Sequence, residues 1–216
     1  MSQVWLITGS SRGLGRAFAE AALASGCQVA AAARNAEDLA ELKDKYGDLV
    51  LPLPLNVTSE TQASEAVKAT IRTFGKLDVL VNNAGYGNVA PIEDTTLEDF
   101  RAQIETNLFG VIILTKAVLP YFRGWGSGHI MQVTSIAGRI GPIGRAPYAA
   151  AKWGVEDFSE TLAKEVGPLG VKVTIVEPGG FRMDFAGSST ELREGRVPNT
   201  MRRWVKQRAS STVIAS

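Results

Sequence analysis

Short apolar runs alternate with longer segments of helical spacing along most of this chain. Several runs are rich in β-branched residues, and segments between them, such as 17–24 and 39–43, carry apolar residues three or four positions apart. Strands that are apolar throughout and separated by helices are typical of a parallel sheet covered on both faces. The pattern therefore predicts an α/β protein with a doubly wound parallel sheet in three α/β/α layers.

Six runs are predicted to form the strands of this sheet: 4–7, 28–33, 50–55, 79–81, 130–133 and 171–176. Right-handed crossovers between parallel strands leave few topologies, and the dinucleotide-binding order of the Rossmann fold is the leading one. The one candidate for a seventh strand is the segment 211–215. A chain of 216 residues is long enough for one such domain and too short for two.

Charge and composition narrow the class of protein further. Hydrophobic residues make up 45% and charged residues 21%, and the 23 basic residues nearly balance the 22 acidic ones. This balance gives no charge field that would draw the protein to nucleic acid or to a membrane. The N-terminus lacks the basic start of a signal peptide, and no apolar run is predicted to span a membrane. We therefore expect a cytoplasmic protein.

Four features that could carry chemistry are expected to be structural. Cys27 lies in an apolar run and cannot form an internal disulfide, so it is expected to be a small buried residue, and no metal site is predicted. His129 at a strand start is expected to be partly exposed, and Glu177 to hydrogen-bond at a strand end. The basic run 202–208 could form a nucleic-acid patch, but a solvated helix face is favoured.

A glycine-rich turn follows the first predicted strand directly. Residues 8–15 read Thr-Gly-Ser-Ser-Arg-Gly-Leu-Gly and open a helix. Gly9 can turn the chain sharply, Gly13 lets the backbone approach a pyrophosphate, and Gly15 lets the helix pack close to the sheet. The helix N-terminus adds N–H donors and the positive end of a dipole. We expect a dinucleotide here, and a tight turn without a ligand is the alternative.

The end of the second predicted strand bears on which dinucleotide binds. An NAD site commonly carries an acid there that binds the ribose 2′-hydroxyl, whereas this strand ends in three alanines followed by Arg34. Arg12 and Arg34 could converge on a 2′-phosphate through their planar sets of donors. NADP(H) is therefore favoured over NAD(H), and two unrelated surface arginines are the alternative.

Several motifs in a fixed order resemble the classical short-chain dehydrogenase/reductase family over about residues 1–187. These are the turn at 8–15, Asn82-Asn83-Ala84-Gly85 after the fourth strand, Asn107 within a helix, Ser135 at the end of the fifth strand, Tyr148-Ala149-Ala150-Ala151-Lys152 opening a helix, and Pro178-Gly179-Gly180-Phe181 after the sixth strand. The resemblance implies an NADP-binding Rossmann domain with the catalytic site at 1–187 and a short C-terminal lid or tail at 188–216.

The chemistry centres on Tyr148 and Lys152. Four residues apart, they lie on one helix face, and a nearby ammonium favours the phenolate form of a tyrosine. Tyr148 is then the general acid/base, and Ser135 hydrogen-bonds the same substrate oxygen. In the family the lysine also binds the nicotinamide ribose, and the residue matching Asn107 anchors a proton-relaying water. Taken singly, such residues could instead pack or cap a helix.

The resemblance also implies the cofactor-binding set. Its members are Gly9, Ser11, Arg12, Gly13, Leu14, Gly15, Arg34, Asn56, Val57, Asn83, Ala84, Gly85, Tyr148, Lys152, Pro178, Gly179 and Phe181. Two positions depart from the family pattern: Asn56 replaces an aspartate that accepts from the adenine amino group, and Met183 replaces a threonine that binds the nicotinamide carboxamide. The amide oxygen of Asn56 is expected still to accept, whereas a thioether donates nothing.

The leading function is a carbonyl reductase or alcohol dehydrogenase with an apolar pocket formed by 86–92, 136–143 and 181–188. The substrate is then a small-molecule aldehyde, ketone or alcohol, with no nucleic-acid or membrane partner. The family usually dimerises through the helices that hold Asn107 and Tyr148, so a homodimer is expected. The alternative is a catalytically weak NADP-binding sensor or interaction protein on the same fold, since the chain after the sixth strand is short.

Overall fold

A computed structural model of the chain describes residues 2–179, and within this part six parallel strands form one sheet. They are β1 Val4–Thr8, β2 Gln28–Ala33, β3 Val50–Pro54, β4 Val79–Asn82, β5 Gly128–Val133 and β6 Val171–Val176. Their order is β3-β2-β1-β4-β5-β6, so the winding reverses between β1 and β4. This confirms the predicted doubly wound sheet, and the segment 211–215 lies outside the described residues.

Helices cover both faces of the sheet. They are α1 Gly13–Ala24, α2 Ala40–Tyr46, α3 Glu60–Phe74, α4 Leu97–Ile104, α5 Gly110–Trp125 and α6 Ala146–Val166. Buried side chains of α1 and α2 form one core cluster with the sheet, and those of α3, α5 and α6 form the other. The three predicted layers are therefore confirmed.

Neighbouring residues of each inner strand supply opposite cores. In β1, Leu6 belongs to the cluster under α3, α5 and α6, whereas Ile7 belongs to the cluster under α1 and α2. Successive side chains of a strand point to opposite faces, so a strand covered on both sides must be apolar throughout. Cys27 packs against the α1 side and is half-buried, so the expected burial of this small residue is only partial.

One continuous helix carries α4, a π-helical turn at Glu105–Phe109, and α5. Over Leu97–Trp125 it is long and apolar enough, by length and composition, to cross a membrane, which the sequence reading did not anticipate. The same helix supplies Leu114, Val118 and Phe122 to the core, each fully buried. In this fold it therefore packs as a core helix.

A buried polar network joins the centre of the sheet to α5. Asn82 Nδ2 donates to Gln132 Oε1 at 2.9 Å and to Thr115 Oγ1 at 3.1 Å, and Gln132 Nε2 donates to the same hydroxyl at 3.2 Å. Buried amides need such partners, because an unpaired one costs about 1–3 kcal/mol. The network fixes the end of β4 and its neighbour β5 directly beneath the candidate site.

Candidate active site

The turn after β1 is held to the end of β4 by two side chains. Thr8 Oγ1 accepts hydrogen bonds from the backbone N–H groups of Asn83 and Ala84, at 2.9 and 3.0 Å. The Asn83 Nδ2 group donates to the carbonyl oxygens of Thr8 and Gly9, at 2.9 and 3.2 Å. The two strands meet where the sheet reverses its winding, which is where ligands bind in open α/β sheets.

The three glycines of the turn meet the predicted requirements. Gly9 and Gly13 have φ angles of +69° and +58°, which favour glycine. A Cβ on Gly15 would overlap both the carbonyl group of Gly9 and the side-chain amide nitrogen of Asn83. Only glycine at position 15 lets α1 approach the turn this closely.

The N-terminus of α1 suits an anion. Within the described residues, α3 and α4 begin with the capping side chains of Ser59 and Thr96 and carry acids in their first turns. Helix α1 has no capping side chain at Arg12 and no acid in its first turn. Its N–H donors and the positive end of its dipole therefore face the turn with neither an Arg12 cap nor a first-turn carboxylate to neutralise them. The residues present fit the phosphates of a dinucleotide.

Two arginines lie at the same edge of the sheet. Arg34 follows the end of β2 directly and is exposed, and Arg12 is the exposed residue directly before α1. Strands β1 and β2 are neighbours in register, with Thr8 opposite Ala32. Between the end of β2 and Ala36 the chain has no carboxylate.

Asn56, which is expected on the adenine side, is engaged within the chain itself. Its Oδ1 atom accepts from the backbone N–H of Thr58 at 3.2 Å and from the Thr58 hydroxyl at 3.0 Å. Both lone pairs of an amide oxygen are used in this way. The oxygen is thus already engaged by Thr58 in this structure, and its contact with an adenine amino group stays a prediction.

The chain brings Ser135, Tyr148 and Lys152 together. Ser135 caps the 3-10 turn Ile136–Gly138 after β5 and hydrogen-bonds the Tyr148 hydroxyl. Lys152 Nζ donates to the Val133 carbonyl oxygen at 2.8 Å and lies 5.6 Å from the centroid of the Tyr148 ring. Tyr148 is 5% exposed and Lys152 3%. A hydroxyl, a phenol and an amine therefore converge on one small region.

Burial shifts the proton affinities of both groups on α6. It raises the pKa of Tyr148, and the hydrogen bond from Ser135 and the positive charge of Arg145 oppose this only in part. It lowers the pKa of Lys152 to about 8, and the carboxylate of Glu156 opposes that shift. Desolvation of the phenolate is the largest effect on Tyr148 in this structure, and stabilisation of the phenolate by Lys152 stays a prediction. Tyr148 is a neutral acid at pH 7.

Asn107 lies in the π-helical turn and binds the loop opposite. Its Oδ1 atom accepts from the Tyr86 N–H at 3.1 Å, and its Nδ2 atom donates to the carbonyl oxygens of Tyr86 and Gln103 at 2.8 Å each. Both ends of the side chain are therefore occupied by backbone. A π-helical turn inside an α-helix is frequent at functional sites.

Two glycines after β4 let this loop pass close to the catalytic candidates. A Cβ on Gly85 would lie 2.5 Å from Asn107 Oδ1 and 3.8 Å from Lys152 Nζ. A Cβ on Gly87 would lie 3.0 Å from the Tyr148 ring. The loop can cross between Asn107 and α6 only without side chains at these positions.

Apolar side chains are exposed in both described segments predicted to form the substrate pocket. They are Ile92, Ile136, Ile140 and Ile143. The two segments are joined by a hydrogen bond from the Ala90 N–H to the Gly144 carbonyl oxygen at 3.0 Å. The third segment, 181–188, lies outside the described residues, as do Phe181 and Met183.

Comparison with known proteins identifies the family. Residues 3–194 match the short chain dehydrogenase family model. The oxidoreductase BOA17 of Botryotinia fuckeliana is 52% identical over 193 residues, which cover 89% of this chain and 70% of that protein. A short-chain dehydrogenase from Streptomyces avermitilis has the same fold, with a TM-score of 0.89 at 39% identity over 96% of this chain and 76% of that one. This chain belongs to the short-chain dehydrogenase family.

Structures of other members contain either nicotinamide cofactor. ElxO with NADP bound is 29% identical, with a TM-score of 0.82 over 85% of this chain and 76% of that chain. A short-chain dehydrogenase/reductase from Burkholderia phymatum in complex with NAD is 25% identical, with a TM-score of 0.85 over 95% and 78%. Membership of the family therefore implies a nicotinamide dinucleotide as the cofactor, and the choice between NAD and NADP depends on the residues of each chain.

The remaining predicted cofactor residues of this short-chain dehydrogenase occupy the same edge of the sheet. Ser11 lies in the turn, Leu14 in the first turn of α1, and Gly179 after β6 in open space. Val57 is different, because its side chain is buried in the core against Gly110. The Pro178 carbonyl oxygen accepts from the Ile136 N–H at 3.0 Å, which ties the end of β6 to the turn after Ser135.

His129 and Glu177, which were expected to be structural, both make hydrogen bonds within the described part of the chain. His129 is the second residue of β5, at the end of the sheet opposite the candidate site, and its ring bonds the Thr174 hydroxyl at 2.8 Å. Glu177 accepts from Arg139 at 2.9 Å, as expected of a strand-end acceptor. Arg139 and Glu156 were missed, since neither belongs to a recognised motif. The sequence does place Glu156 four residues, one helical turn, after Lys152, and this spacing could have indicated that the two side chains share a helix face.

Proposed function

We propose that this short-chain dehydrogenase is an NADP(H)-dependent oxidoreductase that interconverts a carbonyl compound, an aldehyde or ketone, and the corresponding alcohol. The observation that carries the proposal is the convergence of the half-buried Ser135 with the buried Tyr148 and Lys152 beside an uncapped helix N-terminus. NADP(H), when bound, supplies the hydride chemistry.

In the reductive direction Tyr148 donates its phenolic proton to the carbonyl oxygen of the substrate. Its raised pKa keeps the proton in place at neutral pH, and proton donation by a positioned acid contributes about 10²- to 10⁴-fold. Ser135 donates its single hydroxyl hydrogen to the same oxygen and holds it in place. Lys152 in its ammonium form lowers the free energy of the phenolate that remains, because an opposite charge favours the ionised form. In oxidation the proton moves back to Tyr148.

Asn107 is assigned the role of holding the site open for proton exchange. Its side chain fixes the Tyr86 backbone, so the loop after β4 is held in place beside Lys152. A water anchored at this turn, as the family resemblance implies, then restores the proton that Tyr148 has given up.

The chemistry is tested by measuring NADPH oxidation with a panel of aldehydes and ketones. Tyr148→Phe removes the proton donor, and we expect kcat to fall about 10²- to 10⁴-fold while NADPH binding is retained. Tyr121→Phe, on α5 and remote from the site, is the matched control. Tight NADPH binding with no turnover of any carbonyl would instead support the sensor or interaction protein on the same fold.

The preference for NADP(H) is supported by Arg12 and Arg34 and by the lack of a carboxylate after β2. Hydrogen bonds to charged groups contribute about 1.5–3 kcal/mol each, so Arg34→Glu is expected to weaken NADPH binding at least about tenfold relative to NADH. Arg72→Glu, an exposed arginine on α3, is the control. Equal weakening of both cofactors, measured by fluorescence titration, would contradict a 2′-phosphate contact.

The substrate and the assembly are proposed from exposed apolar surface. The isoleucines beside Ser135 and Tyr148 favour a substrate with an apolar portion over a strongly charged one. Phe109 and Trp153 are 44% and 53% exposed, and they flank the contact between Leu108 and Gly154. Aromatic residues are enriched at interface centres, so this face supports the proposed homodimer. The cytoplasmic location stays a prediction.

A further inference from the structure

Arg139 joins three segments that carry the candidate site. It follows the turn Ile136–Gly138, at whose start Ser135 lies. Its guanidinium group contacts Glu177 at 2.9 Å, next to Pro178 at the end of β6, and Glu156 on α6 at 3.2 Å. Glu160, one turn further along α6, lies 3.9 Å away and is half exposed. An arginine is suited to this position because its planar group can contact several carboxylates at once.

Glu156 is the buried member of this cluster. It is 4% exposed, and within the described residues its two carboxylate oxygens have no hydrogen-bond donor of good geometry, so the ion pair with Arg139 is their main compensation. A Cβ on Gly138 would lie 2.9 Å from Glu156 Oε1 and 3.2 Å from the Lys152 carbonyl oxygen. The turn after Ser135 therefore packs directly on the helical turn between Lys152 and Glu156. Burying a carboxylate with so few hydrogen-bond donors destabilises the folded state.

Tyr148, Lys152 and Glu156 lie four residues apart along α6, so they share one helix face. The charged and titratable groups of the described residues around Lys152 are Tyr148 and Glu156 on its own helix and Arg139 from the turn after β5. Arg145, before α6, acts on Tyr148. Of these, Glu156 is the only anion that is buried with Lys152.

We propose that Glu156 is a positioning residue that keeps Lys152 in its ammonium form, and that Arg139 sets the strength of this effect by neutralising part of the Glu156 charge. The inference rests on the proposed function, because the ammonium matters for the phenolate of Tyr148. It adds to the site a carboxylate that acts through Lys152 and does not contact substrate or cofactor. The opposing action of Glu156 on the pKa of Lys152 agrees with this arrangement.

The test follows the titration of Lys152 itself in the full, ligand-free chain. Lysine side chains are labelled with ¹³C, and the Lys152 signal is identified by its loss in Lys152→Arg. We expect Glu156→Gln, which keeps the shape and removes the charge, to lower the pKa of Lys152 by about 1 or more. Arg139→Met is expected to raise that pKa, because the Glu156 charge is then uncompensated. A merely structural role would not give opposite directions.

Glu160→Gln is the matched control, since Glu160 also faces Arg139 but is exposed, and it should leave the pKa of Lys152 unchanged. An unchanged pKa in Glu156→Gln, an equal change in Glu160→Gln, or changes of one sign in Glu156→Gln and Arg139→Met would each overturn the proposal. If Glu156→Gln does not fold, Arg139→Met decides by the sign of its effect. The titration of Lys152 needs no substrate, so its outcome is independent of activity. A failure to turn over any carbonyl would therefore count against the proposed function alone. Where a carbonyl is turned over, the alkaline limb of the kcat–pH profile should move to lower pH in Glu156→Gln.

Discussion

At the scale of single residues, the site combines groups whose proton affinities are set by burial. Lys152 is 3% exposed, hydrogen-bonds a backbone carbonyl, and has one buried anion on its helix. A buried ammonium is costly in the folded state, and the protein retains it at a position where it can act on Tyr148. Activity and stability therefore make opposite demands on this side chain.

The cost of the Lys152 charge should be visible in the pH dependence of stability. The pKa of Lys152 falls from 10.5 to about 8 on folding, so between these values the unfolded chain binds the proton and the folded one does not. The free energy of unfolding therefore rises with pH from about 8 to 10.5, by up to about 3 kcal/mol from this group. Denaturant unfolding of wild type and Lys152→Met across this range isolates the effect. A constant difference between the two proteins would contradict the buried charge.

At the scale of elements, the meeting of β1, β4 and α1 shapes the cofactor site. Asn83 is predicted to bind the cofactor, and in this structure its side-chain amide also shapes the turn by donating to the Thr8 and Gly9 carbonyl oxygens. The helix that follows can approach only because Gly15 has no Cβ. If phosphate binds at this point as proposed, Asn83 is expected to contribute indirectly, by holding the packed turn in place.

Asn83→Ala should separate this role from a direct contact. Two backbone carbonyl oxygens lose their donor, so we expect a loss of about 1–3 kcal/mol in unfolding free energy without any ligand. Asn35→Ala, which removes an exposed cap of the turn Ala36–Leu39, should cost less. Both variants are compared by thermal and denaturant unfolding of the ligand-free protein. A loss of NADPH affinity with unchanged stability would instead indicate a direct contact.

The elements were predictable to different degrees for physical reasons. The strand cores were placed within one or two residues, since strands buried on both faces must be apolar throughout. The π-helical turn around Asn107 could not be predicted, because the spacing of apolar side chains barely changes over a single turn. The ion pair between Arg139 and Glu156 joins residues 17 positions apart on different elements. Such contacts depend on how the turn after β5 packs on α6, which no local pattern encodes.

At the scale of the whole molecule, one exposed face stands out on the helices that carry the candidate site. Leu108 packs against Gly154, and the adjoining aromatics Phe109 and Trp153 remain largely exposed. The π-helical turn and α6 that present these aromatics also hold Asn107, Tyr148 and Lys152. A two-fold interface on this face would bury the aromatics of both copies and stiffen the helices behind the chemistry.

The dimer can be tested with single charge substitutions on this face. Placing a carboxylate in an apolar interface leaves it buried without a partner, so Trp153→Glu and Phe109→Glu should each convert a dimer into a monomer. Leu169→Glu makes the same kind of change at an exposed leucine after α6 and should leave the dimer intact. Light scattering coupled to size-exclusion chromatography measures the mass directly. If all three variants keep the wild-type mass, the assembly uses another surface, whereas a monomeric wild type removes the proposed dimer altogether.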